Sequence, residues 1–355
     1  MTHERKTAAG APATPRRARI HDVADLAGVS MKTVSRVVNG EAGVLPDTRA
    51  RVELAVRELG FVPDSRARSL KRGGTDTIGI LIDAISDPFF AAFVSAVEEL
   101  AMAQGLSVLF ASTGYDGRRE REQLARLTGD RLRGIIVAPV EVTAEELEAV
   151  RRRFPVVCVD RSRPGIDSIV VDDFGATVEA VREFVARGHR RIAFIGDHTP
   201  YPTVSTRLEG YRAALHEAGI AFDGALVISQ DRSREQSQPV AELLSGADAP
   251  TAVFCASSPA AITTIHTIGT RRLGMPALIS FGDFEFSDVF TPGITCVDQD
   301  PRLIGAATFR RLIELVDDPD AAPEHIVVPT RLIRRGSGES SPDAIAVPAL
   351  IGALR

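Results

Sequence analysis

The sequence has no apolar run approaching the roughly 20 residues that a membrane-spanning helix requires. Its first nineteen residues, MTHERKTAAGAPATPRRAR, are polar and basic and contain no apolar segment of the kind found in secretory signals. We therefore expect no membrane partner and a cytoplasmic location.

Catalytic and metal-binding motifs are also missing. No GxSxG elbow, P-loop or HExxH motif occurs, and no GxGxxG follows a predicted strand. The seven histidines show no metal-ligand spacing. The acidic pairs Asp172-Asp173 and Asp317-Asp318 are interpreted as solvated charge. We expect neither an enzyme nor a metal or cofactor site.

Cysteine is rare, and its three occurrences form no CxxC pair. Each lies in an apolar, strand-like run, which is typical of reduced core cysteines. These residues are Cys158, Cys255 and Cys296.

Length and charge predict more than one domain and an anionic partner for the N-terminal part. The 355 residues exceed the size of an ordinary single domain, and 44% of them are hydrophobic. Residues 1–75 carry a net charge of +6, whereas the remainder carries −11. A basic head on an acidic body favours an anionic partner for the head alone.

Residues 20–40, IHDVADLAGVSMKTVSRVVNG, contain two short helical patterns. The first is predicted to be capped by Asp22 and to end at Gly28, where a left-handed residue is favoured. Its predicted buried side consists of Val23, Ala24, Leu26 and Ala27. Ser30 is predicted to cap the second helix. The inward side of that helix is predicted to be Val34, Val37 and Val38.

The outward side of the second helix carries groups that reach base edges or phosphates. They are Met31, Lys32, Thr33, Ser35, Arg36 and Asn39. A third helix is predicted from Pro46 to Gly60. The spacing fits an all-α helix-turn-helix head over residues 19–62, after an N-terminal extension (1–18) predicted to be disordered. The alternative interpretation is a solvated polar face on a small helical bundle.

Residues 63–75, PDSRARSLKRGGT, are predicted to form a hinge. A helix over 64–72 is shorter than the ~12–15 residues that are already marginal in water, so we expect disorder until DNA binds. The exposed Leu70 suits a minor-groove wedge, with basic side chains near phosphates. Those side chains are Arg66, Arg68, Lys71 and Arg72. A plain flexible linker is the alternative.

The body, residues 76–335, alternates buried strand-like runs with helical patterns. The runs are 77–83, 106–113, 134–140, 155–160, 168–173, 191–197, 225–229, 251–257, 277–283 and 294–299. This alternation predicts an α/β bilobed body of two doubly wound parallel sheets. The lobes are predicted at 76–170 plus 300–318 and at 171–298 plus 319–335. A flexible tail is predicted for 336–355.

Open parallel sheets bind ligands beyond the carboxyl ends of their strands, so both lobes are expected to face one cleft. Hydroxyls, carboxylates, a guanidinium and two phenylalanines at the predicted positions suit a small polar ligand with one apolar face, such as a sugar. The candidates are Asp87, Phe89, Phe90, Asp160, Arg207, Ser257 and Asp283.

The segment 20–40, together with FVPDSRARSLKRG and TIGILIDAISDPFF, resembles the LacI/GalR family of bacterial transcription regulators. The resemblance covers nearly all of residues 20–335 and implies a periplasmic-binding-protein-like body. It implies that Met31, Lys32 and Arg36 contact operator bases. Phosphate contacts are implied for Thr33, Ser35 and Asn39, and minor-groove contacts for Leu70 and Ala67.

The same resemblance assigns effector contacts to Phe89, Phe90, Asp160 and Arg207. The sequence departs from the family at three places: Gly282 replaces a frequent acidic residue, Ser257-Ser258 replaces Asn-Asp, and Arg232 stands at a frequently aromatic position. These departures favour an effector that is smaller than a neutral hexose or carries negative charge.

Together these observations predict a regulator, most simply a repressor, that binds a pseudo-palindromic operator as a homodimer in the nucleoid under the control of a carbohydrate or an anionic derivative. The alternative is a bilobed sugar-binding receptor without a DNA role. The basic head and the missing apolar leader oppose that alternative.

Overall fold

The computed structural model describes residues 18–38, 43–61, 76–129, 131–197, 201–230 and 237–343. The chain divides into two compact units, Met1–Gly74 and Thr75–Arg355. We call the first unit the head and the second the body.

The described part of the head consists of three helices, α1 (Ile20–Ala27), α2 (Met31–Val38) and α3 (Pro46–Glu58). Gly28 ends α1 in the left-handed conformation with φ 63°, as predicted. The Ser30 hydroxyl accepts a hydrogen bond of 3.2 Å from the Thr33 amide at the start of α2. Pro46 occupies the first turn of α3.

The head core is small and made of aliphatic side chains from all three helices. Its buried residues are Val23, Ala24, Ala27, Val34, Val37, Val52 and Ala55. The prediction that Leu26 is buried is wrong, because this side chain is 51% exposed. At 100° per residue it lies about 100° from the middle of the stripe formed by 23, 24 and 27. Asp22 does not cap α1 from outside but lies in its first turn and accepts from the Arg19 amide at 2.7 Å.

All ten strand-like runs predicted for the body form strands. In chain order the strands are β1 (Thr77–Ile82), β2 (Ser107–Ser112), β3 (Gly134–Val137), β4 (Val156–Val159), β5 (Asp167–Val171), β6 (Ile192–Asp197), β7 (Val227–Gln230), β8 (Ala252–Cys255), β9 (Ala277–Phe281), β10 (Thr295–Asp298), β11 (His325–Val328) and β12 (Arg331–Ile333). The last two were not predicted, because they are short and only partly buried.

The strands form two six-stranded sheets, which confirms the predicted bilobed α/β fold. The first has the order β11-β5-β4-β3-β1-β2, and the second β12-β10-β9-β8-β6-β7. Neighbouring strands are parallel except β12, which pairs antiparallel with β10. Strands such as β3 and β4 are buried along their whole length, as expected for a sheet covered on both faces.

Helices cover both sheets. They are α4 (Pro88–Ala103), α5 (Gly117–Gly129), α6 (Ala144–Arg151), α7 (Asp173–Ala186), α8 (Pro202–Glu217), α9 (Ser237–Ser245), α10 (Ser258–Arg271) and α11 (Pro301–Asp317). In the first lobe α4 packs against α11, and in the second α7 packs against α8.

In the described part of the body, the chain passes between the two lobes three times. The crossings lie between β5 and α7, between β10 and α11, and between β11 and β12. The predicted assignment of 319–335 to the second lobe is therefore wrong for residues 325–328. That strand pairs in parallel with β5, with His325 opposite Ser168, and belongs to the first sheet.

The tail does not begin at residue 336 as predicted. The Ser337 hydroxyl donates to the Leu278 carbonyl at 2.6 Å and accepts from the Thr295 amide at 2.9 Å. A side chain on Gly338 would lie 2.7 Å from Ile279, so the chain approaches the second sheet closely. Residues 336–343 are thus part of the second lobe, whereas 344–355 lie outside the described residues.

A buried ion pair attaches the second crossing to the first sheet. Arg311 of α11 donates from Nε to Asp167 of β5 at 2.7 Å, and neither side chain is more than 5% exposed. The same guanidinium donates to the Ala322 carbonyl, and Asp167 accepts from the Glu324 amide at 3.0 Å. The pair therefore joins α11, β5 and the segment that leads into β11.

Replacing Asp167 with asparagine is expected to lower the free energy of unfolding of the body by about 3 kcal/mol, since it removes the buried carboxylate from the Arg311 guanidinium and leaves the exposed carboxylates of Glu314 and Glu324 as its charged partners. Urea unfolding followed by circular dichroism measures the change. The matched control is Glu217→Gln, which breaks the exposed pair between Arg182 and Glu217. It should cost less than about 1 kcal/mol. Equal losses in the two variants would contradict the importance of the buried pair.

Candidate DNA-binding helix and ligand-binding cleft

Helix α2 separates apolar and polar side chains as the sequence predicted. Val34 and Val37 are buried, whereas Met31 is 56% exposed and Lys32 is also exposed. Thr33, Ser35 and Arg36 are half-buried, and the Thr33 hydroxyl lies 2.9 Å from the Ser30 hydroxyl. Two side chains at the start of α2 are therefore available to a partner, and folding of the head does not require them.

Several predicted contact residues lie outside the described residues, and their roles stay predictions. In the head and hinge these are Asn39, Arg66, Ala67, Arg68, Leu70 and Lys71, and in the body Arg232.

The body contains a cleft of about 490 Å³ at the carboxyl ends of strands from both sheets. Six of the predicted effector residues line it: Asp87, Phe89, Phe90, Asp160, Arg207 and Ser257. Arg161, which follows Asp160 in a loop position expected to face the cleft, lines it too, as do Ser258 and Gly282, two of the positions that depart from the family. The sequence did not indicate the remaining lining residues: Asp83, Tyr115, Tyr201, Thr203, Val204, Phe281 and Gln299.

Arg207 is held rigidly on the second-lobe side of the cleft. Its Nε donates to Asp173 at 2.7 Å, and its Nη1 donates to the Ala256 carbonyl at 2.6 Å. The guanidinium carbon lies 3.7 Å from the centre of the Phe281 ring, a cation–π contact. The side chain therefore presents a fixed set of donors beside the cleft.

The interpretation of Asp173 as solvated charge is wrong, because this residue is buried beside Arg207. It begins α7 directly after a crossing, and this position turns its carboxylate into the second lobe. Burial raises the pKa of Asp173 to about 6, against the opposing effect of the Arg207 charge. Its neighbour Asp172 caps α7 by accepting from the Gly175 amide at 2.8 Å.

Arg161 is the corresponding cation on the first-lobe side. It is buried, and its Nη2 donates to Asp83 at 2.5 Å and lies 3.3 Å from Asp160. Burial alone would lower the pKa of Arg161, but the charges of Asp83 and Asp160 outweigh it and raise that pKa. The Nε of Arg161 is buried and has no hydrogen-bond partner among the residues that the structure describes. A buried donor without a partner is costly, which makes it a candidate ligand contact.

Asp83 could have been found from the sequence. It is the last residue of the run TIGILID, the same strand-end position at which Asp160 was predicted. Its pairing with Arg161, 78 residues away, could not have been read from spacing.

Asp283 is the one described candidate that does not line the cleft. Its carboxylate accepts from Arg335 at 2.6 and 2.8 Å and from the Ser287 hydroxyl at 2.6 Å. Burial opposes its ionisation, but hydrogen bonds from Arg335 and Ser287 outweigh it and lower the pKa to about 2. Its neighbour Gly282, with φ 92°, lines the cleft instead.

The three cysteines are buried and unpaired, as predicted. Within the described ranges no group of histidine, cysteine, aspartate or glutamate could hold a metal ion. In the same part of the chain, no helix has the length and apolar character needed to cross a bilayer.

We predict that Asp283→Asn destabilises the protein at pH 7 by about 1–2 kcal/mol and leaves ligand affinity unchanged, because the carboxylate binds Arg335 rather than a ligand. A carboxyl whose pKa is lowered by folding stabilises the protein at pH values above its pKa in the unfolded state, which is about 4. This stabilisation is lost as the pH falls towards 2. The difference from the parent should therefore shrink on acidification. Thermal unfolding between pH 3 and 7 measures it.

The control for this prediction is Glu209→Gln, an exposed carboxylate on α8 of the same lobe. It should change neither the stability nor its pH dependence. Unchanged stability of Asp283→Asn with a large loss of ligand affinity would contradict the structural role.

Comparison with known proteins assigns both units. The family described as bacterial regulatory proteins, lacI family, matches residues 19–64, and the family described as periplasmic binding protein-like domain matches residues 181–338. The chain is 32% identical over 329 residues to the ribose operon repressor of Escherichia coli, covering 90% of this chain and 99% of that one. It is 30% identical to catabolite control protein A of Priestia megaterium, with coverage of 90% and 98%.

Solved structures agree with this assignment. The lac repressor dimer bound to operator and the anti-inducer ONPF is similar, with a TM-score of 0.76, 26% identity, and coverage of 92% of this chain and all of that one. The relatives are named as repressors and regulators, which agrees with the prediction that the chain is not an enzyme. With its helix-turn-helix head and its two-sheet body, the chain belongs to the LacI family of bacterial transcription regulators.

Proposed function

We propose that this protein is a repressor that binds a pseudo-palindromic operator as a homodimer and is controlled by a neutral sugar in the cleft of its body. The observation that carries the DNA-binding part is α2, which exposes Met31 and Lys32 while its valines fill the head core. A lysine at this position can donate to guanine O6 and N7, and a methionine can contact a thymine methyl group. A cytoplasmic, nucleoid-associated location follows from this role.

Dimer formation is supported by an apolar groove on the second lobe. The groove runs along α10 and the loop after β9, and its exposed side chains include Ile262 and Phe286, at 42% and 65% exposure. Val289 in the same loop is 67% exposed. Apolar surface concentrated in this way is typical of a protein interface. A second copy of the chain is the occupant that a two-fold operator requires.

The charges of the cleft favour a neutral effector, in contrast to the negatively charged one that the departures from the family also suggested. Four carboxylates line or adjoin it, those of Asp83, Asp87, Asp160 and Asp173, against the two guanidiniums of Arg161 and Arg207. Excess carboxylates repel an anion and accept hydrogen bonds from hydroxyls. Relatives named for carbohydrates support this choice: the ribose operon repressor, and a regulator, CelR, solved with cellobiose at 28% identity and a TM-score of 0.64.

We infer that effector binding changes the disposition of the two lobes and thereby the DNA affinity of the paired heads. A coupling of ~1–3 kcal/mol is typical of such linkage.

Lys32→Ala is expected to change the preferred operator at one base pair in each half-site and to leave the other positions unchanged, because one bidentate lysine contact discriminates by about 1–3 kcal/mol. In-vitro selection from randomised duplexes, with the parent and the variant side by side, measures the preference. Arg57→Ala, an exposed residue at the end of α3, is the control and should select the parent sequence. An unchanged preference in Lys32→Ala would remove α2 from base recognition.

Arg161→Lys is expected to weaken sugar binding at least tenfold, because lysine keeps the charge beside Asp83 but lacks the Nε donor. Titration calorimetry with a panel of monosaccharides, D-ribose among them, measures the affinity. The control is Arg163→Lys, whose parent guanidinium donates to the carbonyls of Val142 and Val140. It should bind like the parent. Parent-like affinity in Arg161→Lys would exclude this donor as a ligand contact.

A further inference from the structure

Two tyrosines meet across the cleft on the side away from the crossings. Tyr115 follows β2, which is the edge strand of the first sheet opposite β11. Tyr201 precedes α8, which follows β6, and β6 lies towards the edge of the second sheet opposite β12. The crossings involve β5, β10, β11 and β12, so the tyrosines lie where a rotation about the crossings would separate the lobes most.

The two residues make a direct bond between the lobes. The Tyr201 hydroxyl donates to the Tyr115 carbonyl at 2.8 Å. Their ring centres are 5.4 Å apart with an angle of 59° between the ring planes. This is a favourable tilted arrangement for two aromatic rings.

The first lobe holds Tyr115 in place for this contact. Its backbone has φ 64°, a left-handed conformation that is uncommon for a residue with a side chain. Its amide donates to the Thr113 hydroxyl at 3.2 Å, and its own hydroxyl donates to Asp87 at 3.2 Å. Asp87 in turn caps α4 through the Phe89 amide. The carbonyl that Tyr201 binds is thus tied to both the turn and the first helix of the body.

We propose that Tyr115 and Tyr201 form a latch that holds the cleft closed in the absence of any ligand. The proposal deepens the effector role proposed for the cleft. The hydrogen bond and the ring contact together favour the closed arrangement by roughly tenfold to a hundredfold. A ligand then enters or leaves only while the latch is open.

The composition of the chain allows the latch to be observed directly. The protein has no tryptophan and only three tyrosines. The third, Tyr211, is fully buried and donates to the Ile192 carbonyl within the second lobe. In the variant Tyr211→Phe, all tyrosine emission therefore comes from the two latch residues.

The experiment measures iodide quenching of tyrosine emission in the full-length, ligand-free protein. In the Tyr211→Phe background we expect quenching well below that of a free tyrosine amide. Adding Tyr201→Phe removes the hydroxyl that joins the lobes, so quenching of Tyr115 should rise at least threefold. Adding Tyr115→Phe instead keeps the backbone carbonyl that Tyr201 binds and removes only the hydroxyl bond to Asp87, so quenching of Tyr201 should rise much less than quenching of Tyr115 does in the Tyr201→Phe variant.

This asymmetry between two conservative variants is the decisive result. Circular dichroism and the urea midpoint establish that each variant is folded. If Tyr211→Phe alone is quenched like the free amide, or if Tyr201→Phe leaves quenching unchanged, the latch does not exist. Since the measurement uses neither sugar nor DNA, its failure would leave the proposed effector and operator roles untouched.

Discussion

The arrangement of the two lobes depends on three crossings of the chain between their sheets. They lie on the side where β5 and β11 of the first sheet stand near β10 and β12 of the second. Because the described chain crosses only on this side, the carboxyl ends of the strands face a shared cleft, and the opposite side is held by non-covalent contacts such as the bond between Tyr201 and Tyr115. The buried pair of Arg311 and Asp167 attaches one crossing to the first sheet, and Asp173 holds Arg207 beside another. At the first crossing, the residue that begins α7 therefore also holds an arginine that lines the cleft.

The arrangement of the head depends on a small apolar core rather than on chain crossings. Seven buried aliphatic residues in its described part form a minimal core, and the start of α2 is left to face outward. Small side chains such as Ala24 and the left-handed Gly28 allow α1 and α2 to meet at a tight turn. We propose that the division of α2 into buried valines and the exposed Met31 and Lys32 links the fold of the head to DNA recognition.

The sequence predicts the architecture more completely than the site. Continuous apolar runs predicted ten strands correctly, because full burial of a parallel strand leaves a strong pattern. The sequence pattern could not reveal β12 or the packing of Ser337, since both depend on partners far away in the chain. In the cleft, strand ends predicted Asp160 and Ser257, and the family resemblance indicated Arg207. The buried pairing of Asp83 with Arg161 exists only once β1 and β4 share a sheet.

The most direct test of the regulator role is selection of genomic fragments by the purified full-length protein at low ionic strength. We expect enrichment of a few fragments that share two inverted half-sites about one helical turn apart, and their loss from the protein as salt rises. No enrichment of any fragment would contradict the regulator role and would leave a two-lobed ligand-binding protein.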